Sequence, residues 1–155
     1  MIWEELNTSL IIPSLEVENF KDVMTKLGGV LIEEGYAKES YVDALIAREK
    51  EFPTGLDIDG IGVAIPHTDV SHVNKAATAI AVLDKPVSFI QMGTDDEPVE
   101  VQLVFMLAVV DPKAHLDKLQ RILAIIQDSE VLTKLLKVKD TDEIINIIKE
   151  KEKTL

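Results

Sequence analysis

The sequence predicts a single α/β domain over residues 1–155, with a mixed β-sheet covered by helices on both faces. The apolar residues have helical spacing near both ends of the chain and strand-like runs in the middle. One strand-like run, residues 101–110, is almost continuously apolar, which is typical of a strand buried on both faces. The sequence contains no internal repeat, low-complexity tract or long linker that would divide it into two domains.

The composition is that of a soluble globular protein, with 46% hydrophobic and 28% charged residues. No run reaches the roughly 18 apolar residues of a membrane span, and the N-terminus lacks the pattern of a secretory signal. We therefore expect a cytoplasmic protein without direct membrane insertion. The net charge of −12 argues against binding nucleic acid. Because there is no cysteine, thiol catalysis and cysteine-ligated zinc are excluded.

Two helices are predicted before the central strands. The first covers residues 19–35, where Asn19 can cap the start and Gly35 can end the helix. The second covers residues 41–50, with Ser40 as its cap. Pro53 and Gly55 then predict a loop.

The middle of the chain is predicted to supply the sheet. The runs with strand character are residues 61–65, 76–83, 87–90 and 101–110. Residues 84–86, Asp-Lys-Pro, predict a turn between two of these strands, and residues 92–98 predict an acidic loop.

Three helices are predicted in the last third of the chain. Asp111 can cap the first of them, with Pro112 at the first helical position and an apolar stripe running to residue 126. A short helix fits residues 130–136. A final one fits residues 141–150, where Asp140 and Glu143 have the spacing of a capping box.

His67 is the most unusual of the three histidines. It follows the apolar strand Gly-Ile-Gly-Val-Ala-Ile and Pro66, so it stands where a buried strand leaves the sheet. One ring nitrogen can bind the backbone there while the other stays free, and neutral imidazole is a nucleophile. By itself, however, a histidine at a strand end is more often structural than catalytic.

The wider pattern resembles the mannitol/fructose-type IIA components of the phosphoenolpyruvate-dependent sugar phosphotransferase system. The resemblance rests on the motif Gly-Val-Ala-Ile-Pro-His-Thr at residues 62–68, on Arg48-Glu49 with Thr54 six positions after the arginine, and on His115-Leu116 opening a helix. It covers nearly the whole chain. Residues 44–55 look particularly similar to the galactitol branch of the family. Compared with mannitol-type members, the resemblance implies an extra loop at residues 56–60.

This resemblance implies that His67 accepts a phosphoryl group on Nε2 from the histidine-containing phosphocarrier protein HPr. The group would pass to a cognate IIB component, which serves the membrane IIC component, so the chain would be a phosphotransferase acting through phosphohistidine. No metal or organic cofactor is implied. Arg48 and His115 are the implied phosphate-stabilising neighbours, with Thr54 and Glu49 in supporting roles.

Each of these neighbours also has a structural interpretation. Arg48 could be an exposed helix residue paired with Glu51 or Asp43, and His115 could only cover a helix end. Thr54 could simply shape a turn, and Glu49 could face solvent. The roles of Asp69 and His72 stay open, since Asp69 could attract a basic partner or hold a turn.

Three other functions compete with this interpretation. The nitrogen-related branch of the family uses a similar phosphohistidine to regulate other proteins. A metal-dependent hydrolase could use His67, Asp69, His72 and His115 as ligands. However, His67 and His72 are five residues apart, which suits neither one helical face nor alternate strand positions. A binding module would take up no phosphate. The sugar and the oligomeric state are not predicted.

Overall fold

The centre of the molecule is a five-stranded mixed sheet in the computed structural model, which describes all residues 1–155. The strand order is β1-β4-β5-β3-β2, with β4–β5 and β2–β3 antiparallel and β1–β4 and β3–β5 parallel. The strands are β1 Ile11–Leu15, β2 Gly55–Ile58, β3 Ile61–Ala64, β4 Ala77–Ile90 and β5 Pro98–Ala108. The predicted α/β class with a mixed sheet is confirmed.

Six α-helices surround the sheet, and all five helices predicted from the sequence are present. They are α1 Ile2–Glu5, α2 Phe20–Glu33, α3 Tyr41–Glu51, α4 Pro112–Ile126, α5 Ser129–Lys137 and α6 Thr141–Glu152. Asn19, Asp111 and Asp140 each accept a backbone N–H bond at the start of their helix, as predicted, but the bond to Glu143 that would complete a capping box is not formed. No helix combines the length and apolar character needed to cross a bilayer.

Helices cover both faces of the sheet, as the apolar run on β5 predicted. Val104 and Met106 pack on one face with residues of α2 and α3, while Phe105 and Leu107 pack on the other with residues of α4, α5 and α6. Alternate side chains of one strand therefore enter two separate cores, because successive residues of a strand point to opposite faces.

The loop predicted at residues 56–60 is wrong, because Gly55–Ile58 forms the edge strand β2 of a hairpin with β3. The turn is Asp59-Gly60, and both residues have positive φ, 51° and 88°. Asp-Gly between two strands is a common sequence for a tight hairpin turn. Asp57 also accepts a hydrogen bond from the Gly60 N–H, which fixes the turn.

The turn predicted at residues 84–86 is also wrong, since β4 runs unbroken from Ala77 to Ile90. The pairing of β4 with β5 instead shifts register between Val82 and Val87. Pro86 lies in this irregular stretch, where its missing N–H costs no ladder bond. Strand β1, which contains Pro13, was not predicted; it lies at an edge of the sheet, where proline is tolerated.

The predicted cap of α3 differs in detail from the structure. Ser40 occupies the cap position of α3 but makes no capping bond, and its hydroxyl lies 2.8 Å from His72 Nδ1.

Near the C-terminus, the buried Glu152 carboxylate accepts the backbone N–H groups of Ile2 and Trp3 at 3.0 and 2.6 Å. The first and last helices are therefore joined directly.

Candidate functional site

His67 stands immediately beyond the C-terminal end of β3. The Leu107 N–H of β5 donates to the Pro66 carbonyl at 2.9 Å, so the hydrogen bonding to β5 continues past the last residue of β3. The buried Tyr41 hydroxyl in turn donates to the Leu107 carbonyl at 2.7 Å. The sheet and α3 therefore hold the backbone from which the His67 side chain projects.

The imidazole of His67 is fixed in one tautomer by its own backbone. Its Nδ1 lies 2.9 Å from the Ile65 carbonyl oxygen, and because a carbonyl can only accept, Nδ1 carries the proton. Nε2 is left with its lone pair. Burial, assisted by the positive charge of Arg48, lowers the pKa of His67, although the bond to Ile65 opposes the shift. A neutral ring with a free Nε2 results.

The side chain of His67 opens into a shallow depression of about 260 Å³. Its walls come from the end of α3, the segment after β3, and the junction of β5 with α4: Arg48, His67, Asp69, Val109, Pro112 and His115. Residues 48, 67 and 115 are far apart in sequence, and the fold brings these three predicted site residues together.

His115 lies in the first turn of α4, beside His67. The centroids of the two rings are 4.9 Å apart, with the planes inclined by 47°. Burial lowers the pKa of His115, and repulsion from His67 when that ring is protonated, and from the positive charges of Lys118 and Arg48, lowers it further. Its Nδ1 is buried without a hydrogen-bond partner. A neutral imidazole at this place can donate a hydrogen bond from one ring nitrogen.

Arg48, in the last turn of α3, is exposed and reaches the same depression. It forms neither of the ion pairs considered from the sequence, with Glu51 or with Asp43, and its guanidinium makes no hydrogen bond within the protein. Instead its Cζ lies 4.3 Å from the centroid of the Phe52 ring. The five N–H donors of Arg48 are therefore available to an anion.

Glu49 and Thr54 lie behind His67 and do not line the depression. Both are buried, with 6% and 3% of their surface exposed, so Glu49 does not face solvent. Thr54 donates to the Glu49 carboxylate from its hydroxyl at 2.8 Å and from its N–H at 2.7 Å, and it accepts the Ile65 N–H at 3.2 Å. Burial raises the pKa of Glu49, while the bonds from Thr54 lower it.

The two residues whose roles were left open lie in different places. Asp69 lines the depression, and its carboxylate accepts the Ser71 hydroxyl at 2.9 Å. His72 does not line it and pairs with Ser40 instead. Of the four groups considered as metal ligands, His72 is therefore separated from the other three.

One charged residue near the site was missed by the sequence analysis. Lys118 is 9% exposed; its Nζ donates to the Ala77 carbonyl at 3.0 Å and lies 3.5 Å from Glu5. It is three residues after His115, on the same face of α4, and its charge helps to lower the His115 pKa. Burial also lowers the pKa of Lys118 itself, against the effect of Glu5. The sequence signal that could have identified Lys118 is its i, i+3 spacing from His115.

Comparison with known protein families identifies the family of this chain. The model of the family described as "Phosphoenolpyruvate-dependent sugar phosphotransferase system, EIIA 2" matches residues 4–151. The chain belongs to this family. Its members are phosphotransfer proteins, so the coarse assignment to a phosphocarrier family follows from nearly the full length of the chain.

Two relatives from different branches of the family are similarly close in sequence. The galactitol-specific EIIA component of Escherichia coli K12 is 32% identical over 120 residues, which are 77% of this chain and 79% of the relative. A nitrogen regulatory protein of Bradyrhizobium diazoefficiens is 31% identical over 141 residues, which are 89% and 88% of the two chains. The family is thus shown, while these identities do not separate its branches.

A solved structure confirms the fold. The IIA mannitol enzyme of Escherichia coli, determined in complex with phosphorylated IIB mannitol, superposes with a TM-score of 0.78 at 22% identity, covering 94% of this chain and 97% of that chain.

Proposed function

We propose that this protein carries a phosphoryl group on Nε2 of His67, taking it from the phosphocarrier protein HPr and passing it to a IIB component. The observation that carries the proposal is the 2.9 Å bond between His67 Nδ1 and the Ile65 carbonyl. It leaves Nε2 as an unprotonated nucleophile beside an open depression that also contains Arg48 and His115.

The transfer is a displacement at phosphorus. The lone pair of His67 Nε2 forms the new N–P bond as the N–P bond of the donor's phosphohistidine breaks, and the electron pair of that bond returns to the donor's imidazole. The Nδ1 proton stays on the His67 ring. The positive charge that develops on the ring during attack is therefore stabilised by the Ile65 carbonyl. In onward transfer, a nucleophile of the IIB component forms its bond to phosphorus as the His67 N–P bond breaks, and the electron pair of that bond returns to Nε2.

Arg48 and His115 supply the charge stabilisation that phosphoryl transfer requires. Most of the catalysis in such transfers comes from alignment and from neutralising the equatorial oxygens. A guanidinium can bind two of these oxygens at once, and a neutral imidazole 4.9 Å from His67 can donate to a third. Thr54 and Glu49 position His67 through the Ile65 backbone.

The partners are proposed on the basis of the relatives. The IIA mannitol structure contains phosphorylated IIB mannitol, which supports a IIB component as acceptor here. The galactitol-specific relative supports galactitol as the sugar of the system, with a membrane IIC component completing it. A carrier between such partners would work in the cytoplasm.

A regulatory function is the second candidate. The nitrogen regulatory relative aligns over 141 residues, against 120 for the galactitol relative, at nearly the same identity. In that case the phosphorylated and unphosphorylated forms would bind different target proteins. The chemistry at His67 would be unchanged, so only the identity of the acceptor separates the two functions.

Intact-protein mass spectrometry at alkaline pH tests the phosphocarrier proposal. The protein is incubated with phosphoenolpyruvate, enzyme I and HPr, beside His67→Ala. We expect a gain of one phosphate that is absent from the variant. Equal uptake by His67→Ala would overturn the assignment. Transfer of the phosphate to the galactitol IIB component would support sugar transport, whereas a phosphoprotein that this component does not discharge would favour regulation.

A further inference from the structure

Phe52 presents an exposed aromatic ring that the cores of the protein do not explain. Half of its surface is accessible to solvent, and it belongs to neither of the two apolar clusters that cover the sheet. The guanidinium of Arg48 lies over the face of this ring, with its Cζ 4.3 Å from the ring centroid.

The backbone of Phe52 is firmly held. The residue ends α3, and its N–H donates to the Arg48 carbonyl at 2.7 Å. Pro53 follows and restricts the backbone of the residue before it. Thr54 is buried against Glu49 through two hydrogen bonds. The backbone that carries the ring is therefore held by the end of α3 on one side and by the buried Thr54 on the other.

Contact through the ring face leaves the functional part of Arg48 free. A guanidinium over an aromatic ring is attracted by the negative charge of the ring face, while its N–H donors lie in its own plane and point outward. Arg48 lines the same depression as His67 and His115, so the guanidinium is already near both rings. Holding it there in advance reduces the rotamer entropy lost when it binds an anion.

We propose that Phe52 is a positioning residue that holds the Arg48 guanidinium beside the His67 depression, ready for the phosphoryl group. This inference rests on the proposed phosphocarrier function. Phe52 contacts neither the phosphate nor His67 and acts only through Arg48. The competing interpretation of the exposed ring is a docking contact for a protein donor or acceptor.

A small phosphoryl donor separates these two roles because it has no surface to dock. Phosphoramidate transfers its phosphoryl group to a histidine nitrogen, and ammonia leaves as the donor N–P bond breaks. We expect Phe52→Leu to be phosphorylated about two- to fivefold more slowly than wild type by phosphoramidate, the range of an exposed cation–π contact. Phe52→Tyr keeps the ring and should retain the wild-type rate. With phospho-HPr as donor, Phe52→Leu should lower kcat and leave KM unchanged.

Two controls make the test specific to Arg48. In an Arg48→Ala background, Phe52→Leu should cause no further loss. Tyr36→Leu removes a similar cation–π contact, in which Lys75 Nζ lies 5.4 Å from the centroid of the Tyr36 ring. This variant should leave the phosphorylation rate unchanged. A wild-type rate for Phe52→Leu with phosphoramidate, or a raised KM for phospho-HPr as its only defect, would overturn the inference.

The contact itself can be measured without phosphate. The side-chain protons of Arg48 should show an upfield ring-current shift in the NMR spectrum, lost in Phe52→Leu and kept in Phe52→Tyr. Absence of this shift in the wild type would refute the positioning role even if His67 is phosphorylated. If the shift is present but neither donor phosphorylates His67, the phosphocarrier function fails, and the role proposed for Phe52 fails with it.

Discussion

The Nδ1 nitrogen of His67 donates its proton to the carbonyl of Ile65, two residues earlier in the same chain, at 2.9 Å. The nucleophile is therefore oriented by its own backbone rather than by another side chain. Since Thr54 accepts the Ile65 N–H and Leu107 donates to the Pro66 carbonyl, three consecutive residues ending in His67 are fixed by hydrogen bonds. The tautomer and direction of the ring are set before any partner arrives.

The lowered pKa of His67 predicts a pH dependence of stability. The unfolded chain takes up this proton near the ordinary value of 6.5, and the folded protein takes it up only at lower pH. Because the unfolded state then binds more protons, stability is full above about pH 6.5 and falls as the pH drops toward the folded pKa. His115, whose pKa is also lowered, acts in the same direction.

Urea unfolding at pH 7.5 and 5.5 measures this effect. Wild type should lose more free energy of unfolding between the two pH values than His67→Gln does, since the variant lacks one of the shifted groups. An identical loss in both proteins would contradict the prediction. Nitrogen NMR of the imidazole should also show the Nδ1–H tautomer and a titration midpoint below 6.5.

His115→Ala should slow phosphoryl transfer from phospho-HPr by about 100-fold, the scale of losing one well-placed donor to a transition state. His115→Asn keeps an amide donor and should recover part of the rate. Single-turnover kinetics at a saturating donor concentration measure the chemical step directly. An unchanged rate in His115→Ala would mean that His115 only covers the start of α4.

Thr54→Val should destabilise the protein by about 1–3 kcal/mol, because it leaves the Ile65 N–H and the Glu49 carboxylate short of a buried partner. Thr54→Ser keeps the hydroxyl and should cost less. Thr78 offers a matched control, since its fully buried hydroxyl makes no hydrogen bond. Thr78→Val should be neutral or stabilising in urea unfolding; equal effects at both sites would contradict this account.

Gly62→Ala should destabilise the protein by about 1–3 kcal/mol or more. A Cβ at this position would lie 2.6 Å from the Glu100 carbonyl carbon and 2.9 Å from Val101 Cα, both backbone atoms of the neighbouring strand. Gly29, in the middle of α2, has no atom within 4 Å of such a Cβ. Gly29→Ala should therefore stabilise by about 0.5–1 kcal/mol. The thermal midpoints of the two variants should move in opposite directions.

The sequence predicted the elements with strong periodicity and missed those set by tertiary context. The five predicted helices and the almost continuously apolar β5 were identifiable because their patterns are long. Strand β2 has only four residues, and its Asp59-Gly60 turn was interpreted as part of a loop. Residues 84–86 resemble a turn in sequence, but the chain stays extended through them because β4 pairs with β5 on either side.

The candidate site was likewise predicted only in part from the sequence. His67, Arg48 and His115 were named from the sequence through the family resemblance, and the fold places all three around one depression. The contact between Arg48 and Phe52 was missed because an aromatic residue before Pro-Thr-Gly gives no indication of which side chain will cover it. The buried bonds of Glu49 likewise depend on how α3 meets the segment before β2.

The hydrogen bonds of Glu152 have a consequence for circular permutation of the protein. Its carboxylate, three residues from the C-terminus, accepts the N–H groups of Ile2 and Trp3, so the two chain ends emerge side by side. A short flexible linker can join them, and new ends can be opened within the exposed acidic segment around Asp95, which lies in no helix or strand. Such a circular permutant would open the chain between β4 and β5, so His115 would precede Arg48 and His67 in the sequence while the fold still brings the three side chains together.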